Sequence, residues 1–178
     1  EPAYVCYSPL IELTQSKVVA IDTSKTQFIP SVEAIEKAIT KKTKAIILCS
    51  PNNPTGVAIP KERLEQIAKL VKKHNLWVLS DEIYAELTYD GEHTCFASLK
   101  GMKEHTVLLS GFSKSFAMTG WRLGYICGPK EIVERALKIH QYSALCSPII
   151  SQFAGIEALK SSWSEVEKMR RSYERRRN

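Results

Sequence analysis

The chain has 178 residues, enough for one substantial hydrophobic core. Its composition, 44% hydrophobic and 25% charged, is ordinary and globular, with no internal repeat and no low-complexity linker. The formal charge is +6, but Lys168, Arg170, Arg171, Arg175, Arg176 and Arg177 crowd the end of the chain, so the body is only mildly basic and charge alone gives no reason to expect nucleic acid as a partner.

The five cysteines, Cys6, Cys49, Cys95, Cys127 and Cys146, are odd in number, scattered, and never spaced as C-x-x-C. Cys49 and Cys127 lie in apolar runs, and we expect buried small hydrophobes in a reducing compartment, with neither a disulfide frame nor a metal site. No stretch reaches transmembrane length and no signal peptide is visible, so a cytoplasmic protein away from membranes is expected. The chain opens on Glu1-Pro2-Ala3-Tyr4 without an initiating Met and stops within a charged helical pattern, which leads us to expect a segment of a larger protein.

In chain order, residues 1–7 read as a strand end and a turn, residues 9–15 as a short helix and residues 18–21 as a strand. Ser31 is placed to cap a helix over 32–39 whose Val32, Ile35, Ala38 and Ile39 share a face. Residues 45–49 form an apolar run without polar alternation, as in a strand covered on both sides. The following Ser50-Pro51-Asn52-Asn53-Pro54-Thr55-Gly56 is on its face a Pro/Asn/Gly turn, yet it lies beyond a strand's carboxyl end, where open α/β sheets bind ligands. Residues 60–74 give the clearest amphipathic helix, with Leu64, Ile67, Ala68 and Val71 on one stripe.

A buried strand at 76–79 then delivers Ser80-Asp81-Glu82-Ile83-Tyr84. A carboxylate just past a strand end needs a cationic partner or a capping role, and both readings of Asp81 stand. Glu82, the next residue along, points elsewhere. Residues 88–101 are a long polar connection in which His93 is read as a surface residue. The strand at 106–109 runs into Ser110-Gly111-Phe112-Ser113-Lys114-Ser115, followed eight positions after the lysine by Arg122. A lysine set among small, hydroxyl and aromatic residues is partly desolvated, which favours the neutral amine that attacks a carbonyl to form a Schiff base. The arginine can hold a phosphate bidentately. For a lone lysine, a surface Lys and Arg flanking a turn is the preferred reading. A strand at 126–127 and helices from Pro129, from Pro148 and over 163–177 complete the chain, and the last is expected to present a solvated charged face. The helix from Pro148 shows Ile149, Ile150, Phe153, Ile156 and Leu159 as its apolar residues, and His140 on the helix before it reads as partly exposed.

The string Ser113-Lys114-Ser115-Phe116-Ala117-Met118-Thr119-Gly120-Trp121-Arg122-Leu123-Gly124-Tyr125 resembles the Schiff-base lysine motif of the fold-type I, pyridoxal-phosphate-dependent aminotransferases. The order of the other motifs agrees: an aromatic turn, Asn53-Pro54-Thr55-Gly56, and a strand followed by Asp81-x-x-Tyr84. The resemblance covers residues 1 to about 163 and is nearest the prokaryote-type aspartate/aromatic subgroup. It implies an α/β fold, three-layer α/β/α with a mostly parallel sheet, with residues 1–162 part of the cofactor-binding large domain and 163–178 the start of a helix leading to a small domain.

Carried over residue by residue, the resemblance makes Lys114 the Schiff-base lysine and proton carrier. Asp81 becomes the partner of the pyridine nitrogen, Asn53 and Tyr84 the donors to the phenolic oxygen, and Arg122 with Ser113 the phosphate ligands. Tyr4 is the ring that stacks on the cofactor, or equally a half-buried core tyrosine, with Tyr7 a weaker second candidate. The bond Asn53-Pro54 is expected to be cis. There are departures: where many relatives carry a phosphate-binding Ser three residues before the lysine, this chain has Gly111, and Ser110 stands one place out of register; the family's Gly-containing phosphate loop and its substrate-carboxylate arginine are expected upstream and downstream of this chain. The implied activity is transamination between an amino acid and a 2-oxo acid with pyridoxal 5'-phosphate, in a protein that forms a homodimer. A lyase on the same scaffold, or an effector-sensing domain of a transcription regulator, are the alternatives.

Overall fold

The computed structural model describes residues 1–178. A single four-stranded sheet runs in the order β1 (Ala45–Cys49), β2 (Trp77–Asp81), β3 (Thr106–Gly111) and β4 (Gly124–Cys127). The first three strands are parallel and β4 is antiparallel to β3. The register pairs Cys49 with Asp81, Asp81 with Leu109, and Gly111 with Gly124. The carboxyl ends of β1, β2 and β3 and the amino end of β4 therefore lie along one edge of the sheet. This is the mostly parallel α/β arrangement expected.

Around the sheet stand six helices: α1 (Tyr7–Leu13), α2 (Val32–Ala38), α3 (Lys61–His74), α4 (Lys130–Ser143), α5 (Ile149–Ser161) and α6 (Trp163–Arg177). Ser31 caps α2 as expected, its Oγ accepting from the Ala34 N–H at 3.2 Å. Pro60 precedes α3, and Asn75 closes it in the left-handed conformation after a last turn of Lys72, Lys73 and His74, cations suited to the negative end of the helix dipole. The α3 stripe packs as its spacing dictates: Leu64, Ile67, Ala68 and Val71 are all buried. They join Leu48, Leu76, Val78, Phe96 and Met102 in the main core, with α2 contributing Ile35. Strand alternation sends Val78, Ser80 and Glu82 toward this core and leaves Leu79 and Asp81 on the other face of the sheet.

Four expectations need correction. The 18–21 segment is not a strand, because it has no strand beside it and makes backbone bonds only with Glu1, whose N-terminus donates to Ile21 O. The first helix begins at Tyr7, not at residue 9, since a proline lacking its N–H is accommodated in a first turn. On α5 the buried residues are the small ones, Ser151, Gly155 and Ala158, while Ile149, Ile150 and Phe153 are exposed. The close approach explains this: a Cβ on Gly155 would lie 2.5 Å from Leu123 Cδ2 and 3.3 Å from Phe112 Cζ. Finally, Cys49 is buried as expected, but Cys127 and Cys146 are exposed.

α6 carries the solvated charged face read from its sequence. Arg170 and Arg171 pair with Glu167, and Lys168 pairs with Glu165. Its end is tied to the 88–101 connection, where Arg177 Nη1 meets Asp90 Oδ2 at 2.6 Å and its guanidinium lies 5.2 Å from the Tyr89 ring centroid. No helix is long and apolar enough to cross a membrane.

Candidate active site

Each strand end along the common edge delivers a polar group. Beyond β1, Asn53 lies in a turn closed by Gly56 N–H to Asn52 O at 2.8 Å, with Asn52 Oδ1 accepting from Thr55 Oγ1 at 2.9 Å. Both Ser50-Pro51 and Asn53-Pro54 are cis, the latter as anticipated. Beyond β2, the residues after Asp81 turn into a short 3-10 helix (Ala85–Leu87) preceded by Tyr84. Asn53 and Tyr84 meet across this gap, the Asn53 Nδ2 donating to the Tyr84 hydroxyl at 3.3 Å.

Asp81 is half-buried and both of its oxygens are engaged. Oδ1 accepts from the Ile83 N–H at 3.1 Å, and Oδ2 accepts from the Tyr7 hydroxyl at 2.6 Å. Burial and that bond to a carboxylate push the Tyr7 phenol far above its ordinary value, so it remains a donor. Behind it lies Cys49, whose thiol is raised by burial and partly relieved by Tyr7.

The β3 end feeds the lysine turn. Phe112 is buried, its N–H donating to Leu123 O at 3.2 Å and its carbonyl accepting from both Phe116 and Met118, so the turn is folded on itself. The Lys114 ammonium reaches out from this turn to within 5.7 Å of the Tyr84 ring centroid. Arg122, in the left-handed conformation just before β4, donates from Nη1 to Thr119 O at 3.0 Å. Thr119 in turn donates from Oγ1 to Ser113 O at 2.8 Å, which couples Arg122 to the residue beside Lys114. At Gly111 a Cβ would sit 2.9 Å from both Gly124 Cα and Leu123 O, so the β3–β4 pairing leaves no room for a side chain.

The structure thus gathers Asn53, Asp81, Tyr84 and Lys114 and brings Ser113 and Arg122 to the same edge. Ser110 stands apart, turned to Glu82 O at 3.5 Å. Tyr4 is 42% exposed, and its ring and the Tyr7 ring stand nearly perpendicular with centroids 5.6 Å apart. A hollow of about 370 Å³ lies behind the lysine turn, lined by Phe116, Met118, Trp121, Ala158 and Val166. It contains none of Asn53, Asp81, Tyr84, Lys114 or Arg122 and belongs to the packing of α5 and α6.

Two features went unread in the sequence. The resemblance offers Tyr7 only as a stacking ring, whereas its hydroxyl donates to Asp81 Oδ2. His93 is not a surface residue: its Nε2 lies 2.6 Å from Glu82 Oε2, and Glu82 also accepts from Ser80 Oγ at 2.8 Å and from the Phe96 N–H at 3.0 Å. Burial alone would raise the Glu82 carboxyl, but His93, the Phe96 N–H and Ser80 together hold it below its ordinary value. Spacing carries half of each signal, the place of Tyr7 beside Tyr4 and the burial of Glu82, and not the partner. Tyr4 and Tyr7 stand three apart at the start of a helical turn, and Val78, Ser80 and Glu82 alternate toward the core.

An open, mostly parallel α/β sheet thus carries an amine, a guanidinium, a carboxylate and a phenol–amide pair at its strand ends, the edge at which sheets of this kind bind small ligands. Over residues 1–178 the sequence matches the model of the family aminotransferase class I and II, and the chain belongs to that family. Aminotransferases of this family depend on pyridoxal phosphate. The aromatic-amino-acid aminotransferase 2 of Thermococcus litoralis is 45% identical over 181 residues, covering 99% of this chain and 46% of that protein. The aspartate aminotransferase of Pyrococcus abyssi is 44% identical, again over 99% of this chain and 46% of its own length. Among solved structures, the aromatic aminotransferase from Pyrococcus horikoshii OT3 superposes with a TM-score of 0.96 at 46% identity, covering 99% of this chain and 48% of that one. The chain spans about half the length of the relatives it matches.

Proposed function

We propose that the protein of which this chain is a part transfers an amino group between an amino acid and a 2-oxo acid, using pyridoxal 5'-phosphate held at the strand-end edge. The observation that carries this reading is the convergence of Asn53, Asp81, Tyr84 and Lys114 from three different strand ends, with Asn53 bonded to Tyr84 and Lys114 over the Tyr84 ring.

The donor set fits the cofactor at each of its functional groups. Lys114 offers the amine for the aldehyde and Asp81 the carboxylate for the ring nitrogen. Tyr84 and Asn53 suit the phenolic oxygen, Arg122 and Ser113 suit the phosphate, and Tyr4 offers a partly exposed aromatic ring. Ser110, bonded to a carbonyl at the limit of hydrogen-bond length, is the weakest member of this set. The bound cofactor supplies an electron sink for the substrate's α-carbon.

What the chain's own residues contribute is positional and acid–base. The Lys114 amine, once free, carries a proton to and from the α-carbon as general base and acid. Asp81 keeps the ring nitrogen protonated, and two donors already fix its orientation. The Asn53 amide holds the Tyr84 hydroxyl, limiting where that hydroxyl can point. Arg122, itself fixed by Thr119, provides a planar guanidinium suited to two phosphate oxygens. Residues 1–162 then form part of the large domain and 163–178 lead out toward the small one. The whole protein acts in the cytoplasm as a homodimer on small amino acids and 2-oxo acids, aspartate or aromatic donors first among them.

The test is a visible spectrum of the whole protein with pyridoxal phosphate before and after borohydride, followed by peptide mapping. An adduct on Lys114 and 2-oxo acid product from aspartate or phenylalanine with 2-oxoglutarate are expected. An adduct on another lysine, or none, would overturn the site. With cysteine in place of these donors, release of pyruvate, ammonia and sulfide without amino transfer would replace transamination by a lyase reaction.

A further inference from the structure

The shortest side-chain bond at the site is one that none of the cofactor-binding roles above requires. Tyr7 belongs to α1, on a segment far from β2 in sequence, and its hydroxyl donates to Asp81 Oδ2 at 2.6 Å. The Asp81 carboxylate has about four acceptor positions. The Ile83 N–H takes one on Oδ1 and Tyr7 one on Oδ2, leaving positions on both oxygens for a cationic N–H. The groups facing the Tyr7 hydroxyl are Asp81 from β2 and Cys49 from β1, with the Tyr4 ring edge-on from its own segment. No cation competes for the phenol, so its one charged partner is the carboxylate. The two tyrosines differ: Tyr4 is 42% exposed, while Tyr7 is half-buried with its hydroxyl committed to Asp81.

Resting on the cofactor reading above, we infer that Tyr7 is a positioning residue that acts through Asp81. Its hydroxyl locks the carboxylate in place and draws charge from it, and so sets how strongly the ring nitrogen of the bound cofactor holds its proton. Both effects of losing the hydroxyl have the same sign at the far end of the ring. With the donor gone, Asp81 either cancels more of the ring's positive charge or moves off and lets the nitrogen deprotonate. Less positive charge on the ring raises the proton affinity of the nitrogen that joins Lys114 to the cofactor, which the absorption band reports.

The experiment uses the whole protein loaded with pyridoxal phosphate, as wild type, Tyr7→Phe, Asp81→Ala and the double variant. The readouts are the pH midpoint of the cofactor's absorption band and the dissociation constant from equilibrium dialysis. Tyr7→Phe is expected to move the midpoint upward by about one pH unit, tenfold in the proton equilibrium, because one hydrogen bond to a charged group is lost. In the Asp81→Ala background the same change is expected to do nothing, as a residue acting only through Asp81 must. A midpoint equal to wild type in Tyr7→Phe overturns the inference. So does an equal shift with and without Asp81, which would make Tyr7 a packing or stacking residue. If Tyr7→Phe loses its fold, Tyr7→His, which keeps a donor on a shorter ring, must hold the midpoint between those of wild type and Asp81→Ala, and a midpoint equal to either overturns the inference. A wild-type protein that forms no adduct at Lys114 overturns the cofactor reading itself, an outcome distinct from either of these.

Discussion

Replacing His93 by alanine should destabilise the protein in a way that depends on pH. Glu82 is buried at the residue after Asp81, with 5% of its side chain exposed, and its His93 partner is only 16% exposed. A carboxylate only accepts, so the His93 nitrogen 2.6 Å from Oε2 must carry the proton between them. Ser80 and the Phe96 N–H remain on Oε1 in the variant, so what is lost is one charge-assisted bond, about 1.5 kcal/mol at the least. The ceiling is set by the alternative open to the carboxyl, which is to take up a proton. From an ordinary value of 4.5 to pH 7 that costs about 3.4 kcal/mol at 1.36 per unit. We therefore expect His93→Ala to cost about 2 to 3 kcal/mol at pH 7, read from urea unfolding of the whole protein. The sign with pH follows from the lowered Glu82 value. Its stabilisation is fully present above 4.5, the unfolded value, and is lost as pH falls through the folded value below it. The gap between wild type and variant should therefore close in acid. His93→Gln, which restores a donor, should recover part of it. A gap below about 0.5 kcal/mol at pH 7 would refute the reasoning, since it is less than one net hydrogen bond. A gap that stays constant into acid would refute it too, because the lost interaction would then not involve the ionised carboxylate.

The other expectations are read on the cofactor and on stability. Arg122→Ala should weaken pyridoxal phosphate binding by about 10- to 100-fold in equilibrium dialysis, the loss of charge-assisted bonds to phosphate, and Arg122→Lys should regain only part of it. Lys114→Ala should abolish the borohydride-trapped adduct while leaving the unfolding transition close to wild type, because the lysine side chain reaches out from its turn and is not part of the buried core. Gly111→Ser should cost about 1 to 3 kcal/mol of stability, measured by urea unfolding, and gain no cofactor affinity, because its Cβ would press on backbone atoms of Leu123 and Gly124 that cannot rotate away.

How much of this was legible depended on whether a residue's role is local. The α3 stripe, the Ser31 cap and the span of α6 follow from spacing and hydrogen-bond chemistry within a few residues, and they form as read. The 18–21 segment and the face of α5 did not, for a common reason. A β-branched run becomes a strand only if another strand lies beside it, and residues 18–21 have only Glu1. Likewise the apolar residues of α5 form an apparent stripe, but the side of the helix that meets Phe112 and Leu123 is chosen by how closely the backbone must approach. Gly155 and Ala158 permit that approach and Phe153 does not.

Where the polar motifs fall follows from the sheet register. Parallel pairing of Cys49, Asp81 and Leu109 brings the chain to the same edge at the end of each of the first three strands. Any polar motif written just after a strand is then delivered to one place, whatever the helices between the strands do. The two side-chain contacts that escaped notice, Tyr7 to Asp81 and His93 to Glu82, both come from outside the sheet and reach adjacent residues on its opposite faces. They also bound the error the register can tolerate. A slip of one residue in β2 would turn Asp81 into the core beside Phe96 and put Ser80 or Glu82 where Tyr7 reaches, leaving a buried carboxylate without His93. Alternation holds Glu82 in the core network and Asp81 on the opposite face at the strand-end edge, so the bonds that fix Glu82 also disfavour a slip that would move Asp81.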